Sequence, residues 1–249
     1  MRRLAAFTVV LAVTALSACG GDDDGAGTGP ITAPVKSDIP CRDEPHKLDP
    51  GDFVSAVDNP YFPLKPGTRW SYRGSDKEGT KSTSEVTVPG RTRKVAGITA
   101  TALVDRSTED GKLLEVATEW YAQDKDGNVW YLGEDVKDLE VGETTSSLVG
   151  QDPLQPGVTM LGKPIPGSCH RLSYEKGESA DRLNVLSASR RVSVPAGRYT
   201  KVVQLKQTTP LEPDLIENRY YARGVGLVLV QAESGERERV ELVRFTPGK

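Results

Sequence analysis

The feature of this sequence that most limits its fold is a two-residue alternation of apolar and polar side chains, which begins near Gly67. Between residues 114 and 123 one set is apolar or small, while the other set includes Glu115, Glu119 and Tyr121. A period of two places the sets on opposite faces of a β-strand. We therefore expect a half-buried strand in which Glu115 and Glu119 face solvent.

Similar segments, separated by turn residues, predict a mainly β protein of about a dozen strands. Short hairpins between neighbouring strands favour an antiparallel, up-and-down order. A sheet of this size has to curl, so we expect a strongly curved sheet or open barrel, and the alternative is a two-sheet β-sandwich. The predicted strands cover residues 68–73, 82–88, 98–107, 114–122, 170–175, 182–188, 191–194, 200–208, 216–222, 226–232 and 238–245.

The segment Asp124–Asn128 predicts a tight hairpin, with Gly127 in the left-handed region after a type I turn. This turn pairs Ala122 with Trp130 and Tyr121 with Tyr131. Two candidate sites follow from this register. The first is a core or ligand-binding face, to which the following loop adds Met160: Trp120, Trp130, Leu132 and Met160. The second is a candidate surface patch for a partner protein: Tyr121 and Tyr131.

Residues 149–168 interrupt the strand pattern with four prolines and four glycines. Long segments of this kind inside a compact domain are typically lids, binding loops or disordered. The apolar residues in the segment disfavour disorder. Two interpretations remain open: a cap over the open end of a barrel, and a structural crossover held by Cys169.

The N-terminus has the layout of a secretory signal. A basic start, Met1–Arg3, precedes an apolar stretch at residues 4–16 that is too short to span a membrane. The sequence Leu-Ser-Ala-Cys at 16–19 resembles the bacterial lipobox. This resemblance implies a signal peptide at 1–18, a diacylglyceryl anchor on Cys19 and a location on the extracytoplasmic side of a cell membrane or envelope. The Gly- and Asp-rich residues that follow predict a flexible tether over 19–48 and a single β domain over 49–249.

Lipidation of Cys19 leaves two cysteines, Cys41 and Cys169. In an oxidising compartment they are candidates for a disulfide, and the alternative is two unrelated thiols. A zinc site is disfavoured because the chain has only two histidines and no C-x-x-C motif. We therefore expect no bound metal.

Composition and motifs argue against several functions. The chain has 32 basic and 35 acidic residues, a net charge of −3, which disfavours nucleic-acid binding. It contains no G-x-S-x-G, H-E-x-x-H, phosphate-loop or dinucleotide-binding motif. Cys169 and His170 are neighbours on a predicted strand, so their side chains should diverge. We expect a protein that is not an enzyme and has no cofactor.

Several blocks between Asp58 and Val243 carry a further resemblance. They are DNPYFPL at 58–64, PGT at 66–68, WYAQD at 120–124, GNVWY at 127–131, VPAG at 194–197, YYA at 220–222 and GVGLV at 224–228. Together they resemble a family of uncharacterised bacterial secreted lipoproteins. The last two blocks are also similar to a wider set of β-rich envelope lipoproteins with open-barrel folds. The resemblance implies no catalytic residues.

Three functional hypotheses follow. The first is non-enzymatic binding of a lipid or other apolar ligand on a concave face, which needs a cavity of about 300 Å³. The alternative is a structural or interaction protein of the envelope, with a filled core and a protein-binding surface patch. The third is a hydrolase, which needs two acids that converge in a pocket with separated pKa values.

Overall fold

The computed structural model describes residue 41 and the ranges 47–75, 79–234 and 239–249. The expected signal peptide, Cys19 and most of the expected tether lie outside these residues. The described chain is almost entirely β, with one 3₁₀ turn at Pro50–Asp52 and no α-helix. Its strands are β1 (Phe53–Val54), β2 (Arg69–Ser75), β3 (Lys81–Thr87), β4 (Thr92–Val95), β5 (Ile98–Glu109), β6 (Lys112–Asp124), β7 (Val129–Asp138), β8 (Thr144–Leu148), β9 (Gly157–Met160), β10 (Cys169–Arg171), β11 (Arg182–Val194), β12 (Gly197–Thr209), β13 (Glu212–Ala222), β14 (Gly226–Ser234) and β15 (Arg239–Thr246).

All fifteen strands belong to one antiparallel sheet. Its main path runs in the order β10, β11, β12, β13, β14, β15, β2, β3, β5, β6, β7, β8, and three short strands pair at its side. Two up-and-down runs of hairpins therefore meet where β15 pairs with β2. The sheet is not closed into a barrel. The mainly β, single-sheet prediction is confirmed, and the two-sheet sandwich is not what forms.

The sheet is strongly curved, as the position of Phe62 shows. The ring of Phe62 lies 5.0 Å from that of Tyr121 on β6 and 6.4 Å from that of Tyr221 on β13. These two strands are six steps apart along the path. In a flat sheet, six steps would separate them by about 29 Å. The sheet therefore wraps around the segment that carries Phe62 and creates a concave face.

The hairpin between β6 and β7 follows the predicted register. Ala122 pairs with Trp130 and Tyr121 pairs with Tyr131. Gly127 has a φ of 84°, as the turn requires. This part of the fold could be derived from local sequence because a tight turn sets the pairing of the strands that it joins.

A bulge in β7 places Glu134 on the concave face. The register of β6 against β7 shifts so that Glu119 pairs with Glu134. Gly133 occupies the bulge with a φ of 119°, and a Cβ at this position would lie 2.1 Å from the Ser147 carbonyl oxygen. Only glycine fits such a position. The extra residue brings Glu134 to the same face as Tyr131, although the two are three positions apart.

The proline-rich segment 149–168 is a crossover. It leaves β8 at one end of the sheet path and reaches β10 at the other end. Its middle forms β9, which pairs with β7, so the expectation of a segment without strands is wrong here. The backbone of Gly157 passes so close to Leu172 that a Cβ would lie 2.2 Å from the Leu172 carbonyl oxygen. None of the segment's residues lines the pocket described below. The arrangement matches the crossover interpretation rather than the cap.

Both faces of the β6–β7 hairpin are buried, which corrects two predictions. Tyr121 and Tyr131 are fully buried, so they do not form the expected surface patch. Glu119, expected in solvent, is 3% exposed. The cause is curvature: the more polar side of the hairpin faces the concave interior. The opposite side, with the tryptophans, is covered by β1 and by the chain around β4.

Candidate ligand pocket

The concave face holds a pocket toward the end of the sheet where β2 and β14 begin. The empty space between its side chains is about 530 Å³, including the mouth that opens to solvent. The part in which the centre of a water molecule fits is about 60 Å³. At 10–15 Å³ for each water, this space takes roughly four to six water molecules. This enclosed part falls well short of the volume of about 300 Å³ expected for binding a lipid, so it suits a short chain or small ring rather than a whole lipid.

The walls of the pocket divide into an apolar part and a polar part. The apolar part is formed by the 62–64 segment and by strands β2, β3, β5 and β14: Phe62, Pro63, Leu64, Trp70, Tyr72, Val86, Leu103, Gly226 and Leu227. The polar part is formed by β5, β6 and β13: Asp105, Glu119, Arg219 and Tyr221. A ligand with an apolar body and one polar end would match this division.

Hydrogen bonds to the β13–β14 region hold the aromatic wall in place. Trp70 donates from Nε1 to the Val225 carbonyl oxygen at 2.7 Å. The Tyr72 hydroxyl donates to the Leu227 carbonyl oxygen at 2.9 Å. Each buried ring thus satisfies its polar atom while its apolar face remains against the pocket.

Asp105 lies on the polar wall and is 3% exposed. The Ser84 hydroxyl donates to its Oδ1 at 2.5 Å across the β3–β5 pair. Burial raises the pKa of Asp105 to about 7, against the effect of that hydrogen bond, and the nearby Glu115 adds to the rise. Near neutral pH this carboxyl therefore exchanges between its neutral and charged forms.

Glu119 is the least satisfied acid of the pocket. Its Oε2 accepts a hydrogen bond from the Tyr121 hydroxyl at 3.2 Å. Its Oε1 is buried and has no hydrogen-bond partner among the described residues. Burial raises the pKa of Glu119 well above its usual value, and the nearby Glu134 and Asp105 raise it further.

Two further charged residues, Glu134 and Arg219, lie near Glu119 and affect its pKa. Burial raises the pKa of Glu134 to about 7, and Glu115 adds to the rise. On the facing wall, Arg219 forms an ion pair with Glu217 at 3.0 Å. Burial opposes the charge of Arg219, but Glu217 outweighs this effect and keeps the guanidinium pKa above its usual value. The acids of β5–β7 therefore outnumber the cation that faces them.

The residues of the predicted ligand or core face lie elsewhere. Trp120, Trp130, Leu132 and Met160 are buried in the hydrophobic core, but none lines the pocket. Trp120 donates to Asp135 at 2.9 Å, and Trp130 donates to Asp124 at 2.8 Å. The guanidinium groups of Arg91 and Arg93 lie 5.4 Å from the Trp120 ring centroid. In this structure the two tryptophans pack on the covered outer face of the β6–β7 hairpin.

The structure joins Cys41 and Cys169 by a disulfide, with Cα atoms 4.7 Å apart. The bond ties Cys41 to β10 at one end of the sheet path. Next to it, His170 is 7% exposed, and neither ring nitrogen has a hydrogen-bond partner among the described residues. Burial lowers the pKa of His170 to about 4.

Sequence reasoning missed every polar residue of the pocket. No local signal marks them: Asp105 precedes Arg106, Glu119 follows Thr118, and Arg219 follows Asn218, as in ordinary solvent-facing strands. A charged residue in such a strand is predicted to face solvent unless the sheet is known to curl. The pairing of strands from the two halves of the chain was needed to bring the three residues together.

The described residues include no helix with the length and hydropathy of a membrane span. They also include no group of three or more His, Cys, Asp or Glu side chains placed to hold a metal ion.

Comparisons with known proteins find only weak structural similarity. No protein-family model matches the chain, and no curated protein matches it. One solved structure, a candidate lipoprotein from Parabacteroides distasonis, is 13% identical with a TM-score of 0.44, covering 75% of this chain and 98% of its own. Another, a candidate exported protein with a YmcC-like fold from Bacteroides fragilis, is 14% identical with a TM-score of 0.44, covering 75% and 99%. Similarity at this level carries no functional inference.

Proposed function

We propose that this chain is a lipid-anchored extracytoplasmic protein that binds a small apolar or amphiphilic molecule in its concave pocket, without catalysing a reaction. The observation that carries the proposal is the pocket: an apolar wall and a polar end, enclosed by a curved sheet and open at one mouth. The anchor is proposed from the lipobox-like residues 16–19 and the signal-like segment before them.

The size of the pocket limits the ligand. The enclosed space admits about four to six waters, so it can hold one short chain or ring, while a longer ligand would extend through the mouth. Single acyl or alkyl chains are compatible with this arrangement. A lipid with its full headgroup and two chains would be mostly outside the protein.

The alternative is an envelope interaction protein with a surface patch, but the residues expected to form that patch are buried. Tyr121 and Tyr131 are both inside the curved sheet. A partner surface elsewhere on the protein has no residue set of comparable specificity among those described.

The hydrolase hypothesis needs one acid kept ionised beside one kept protonated. Asp105 and Glu119 do line the same pocket, but burial raises the pKa of both. The enclosed space also leaves little room for a substrate together with an attacking water. The arrangement therefore favours binding over hydrolysis by a carboxylate pair.

Native mass spectrometry of the exported, full mature chain tests the binding proposal. We expect a co-purifying small mass, or a saturable mass gain with membrane lipid extract, at one ligand per chain. Val86→Phe fills the pocket and should abolish the gain, whereas Val141→Phe, the same change at an exposed turn, should not. Circular dichroism checks that both variants fold. An apo mass that neither lipid extract nor a single-chain alcohol such as 1-pentanol changes would overturn the proposal.

Labelling of cells with palmitate tests the anchor separately. The mature chain should incorporate the label and sediment with membranes. Cys19→Ser should remove both properties, while the folded domain remains intact. Label incorporation that survives Cys19→Ser would show that the anchor is attached elsewhere.

A further inference from the structure

The polar end of the pocket carries an excess of acids that its own residues do not balance. Asp105 and Glu119 line the pocket, and Glu115 and Glu134 lie close enough to raise the pKa of a neighbour. Arg219 faces them, but its charge is already shared with Glu217 at 3.0 Å. If every acid were ionised, the concave face would hold a strongly negative group of charges out of contact with water.

A second observation points to a missing donor. Glu119 lines the pocket, and its Oε1 atom is buried and accepts no hydrogen bond from the described residues. Buried polar atoms are nearly always paired in folded proteins. A ligand that brings a hydrogen-bond donor to this oxygen would remove the penalty of leaving it unpaired.

Aromatic rings surround the same space. Phe62, Trp70, Tyr72 and Tyr221 all contribute to the pocket wall. The faces of such rings attract organic cations through their quadrupoles. Acids at one end and rings around the sides together form the usual chemical setting for an ammonium group.

We propose that the pocket selects ligands whose buried end is an organic cation, namely a primary or substituted ammonium carried on a short apolar chain. The ammonium group would lie between Asp105 and Glu119, and the chain would extend along Leu64, Val86 and Leu227 toward the mouth. Carboxylate and phosphate ends would be excluded by repulsion. This inference rests on the proposed binding function and specifies its ligand class.

Protons should compete with the cation for the acids. A bound alkylammonium keeps its charge, as a lysine does. Each carboxyl that ionises to pair with it releases one proton to solvent. The groups that face Asp105 and Glu119 from the packed strands are Tyr72, Ser84, Glu115, Tyr121, Tyr131, Glu134, Arg219 and Tyr221. Because burial makes proton binding to Asp105 and Glu134 favourable up to about pH 7, affinity should rise from pH 6 to pH 8.

The test compares three ligands of one chain length: n-pentylammonium, 1-pentanol and pentanoate. Binding is followed by the indole N–H signal of Trp70 in two-dimensional NMR, assigned with Trp70→Phe. Trp120 and Trp130 lie outside the pocket and serve as internal controls. We expect pentylammonium to bind about tenfold more tightly than pentanol, since hydrogen bonds to charged groups are stronger by about 1.4 kcal/mol. Pentanoate should not shift the Trp70 signal.

Two variants assign the preference to the acids. Asp105→Asn with Glu119→Gln keeps the shape of the polar end but removes its two carboxyl groups. The double variant should lose the tenfold preference for pentylammonium over pentanol. Glu85→Gln, an exposed acid on β3 beside Ser84, should leave all three affinities unchanged.

The possible results distinguish a failure of the cation preference from a failure of ligand binding itself. Pentanol or pentanoate binding as tightly as pentylammonium would overturn the cation preference and leave the binding pocket in place. A Trp70 signal that no ligand shifts would overturn the binding proposal and, with it, this inference. A preference that persists in the double variant would show that other groups recognise the cation.

Discussion

Replacing Asp105 by Asn should stabilise the protein at pH 8 much more than at pH 5. The Asn side chain has nearly the same shape and can still accept the hydrogen bond from Ser84. What it removes is the ionisation of a carboxyl that is 3% exposed. A change that deletes a buried acid without leaving a cavity isolates the electrostatic penalty.

The magnitude follows from the pKa. Burial raises the pKa of Asp105 from 3.8 to about 7, so the unfolded chain releases this proton at lower pH than the folded chain. The contribution of Asp105 to protein stability is therefore most favourable below pH 4 and falls as pH rises toward 7. At 1.4 kcal/mol for each pH unit, the full loss is about 4 kcal/mol, of which about 2.5 kcal/mol falls between pH 5 and pH 8.

Urea unfolding of wild type and Asp105→Asn at both pH values measures this difference. The difference in free energy of unfolding between variant and wild type should be about 2.5 kcal/mol larger at pH 8 than at pH 5, in favour of the variant. Glu85→Gln, at an exposed acid on β3, is the matched control, and its effect on the free energy of unfolding should be small. An equal effect of Asp105→Asn at pH 5 and pH 8 would refute the conclusion that burial perturbs this carboxyl.

Three further predictions concern the core. Burial lowers the pKa of His170 from 6.5 to about 4, so the folded protein resists the protonation that the unfolded chain accepts. As pH falls from 7 to 4, the free energy of unfolding of wild type, measured in urea, should therefore fall by about 3 kcal/mol relative to that of His170→Leu. Reduction of the Cys41–Cys169 bond, which closes a separation of 128 residues, should lower stability by about 4 kcal/mol, and the Cys41→Ser, Cys169→Ser double variant should be insensitive to reductant. Phe62→Ala removes the ring between Tyr121 and Tyr221 and should destabilise by about 3 kcal/mol in urea, whereas a loss under 1 kcal/mol would contradict its role in filling the concave face.

Strand periodicity and hairpin pairing could be predicted from local sequence. The alternation around residues 114–123 and the turn at Asp124–Asn128 specified the β6–β7 register, which the structure confirms. Both signals act over a few residues, because a strand alternates its side chains and a tight turn aligns its two arms. The antiparallel, curved single sheet follows from many such hairpins in one domain.

Which side of each strand faces inward could not be predicted in the same way. Tyr121 and Glu119 lie on the more polar side of β6, and local pattern places that side in solvent. The pairing of β15 with β2 and the wrapping of the sheet around Phe62 enclose this side instead. Inside and outside are properties of the closed shape, which depends on contacts between distant parts of the chain.

The polar end of the pocket most clearly separates what local sequence predicts from what tertiary structure decides. The chemistry of Asp105, Glu119 and Arg219 is evident in the sequence, but their proximity is not. Arg219 lies 100 positions after Glu119 and six strands away along the sheet. Local sequence was enough to predict the long strands and the pairing across their tight turns. Only tertiary structure decided that these charges meet out of water, because curvature of the whole sheet, rather than any local preference, brings them together.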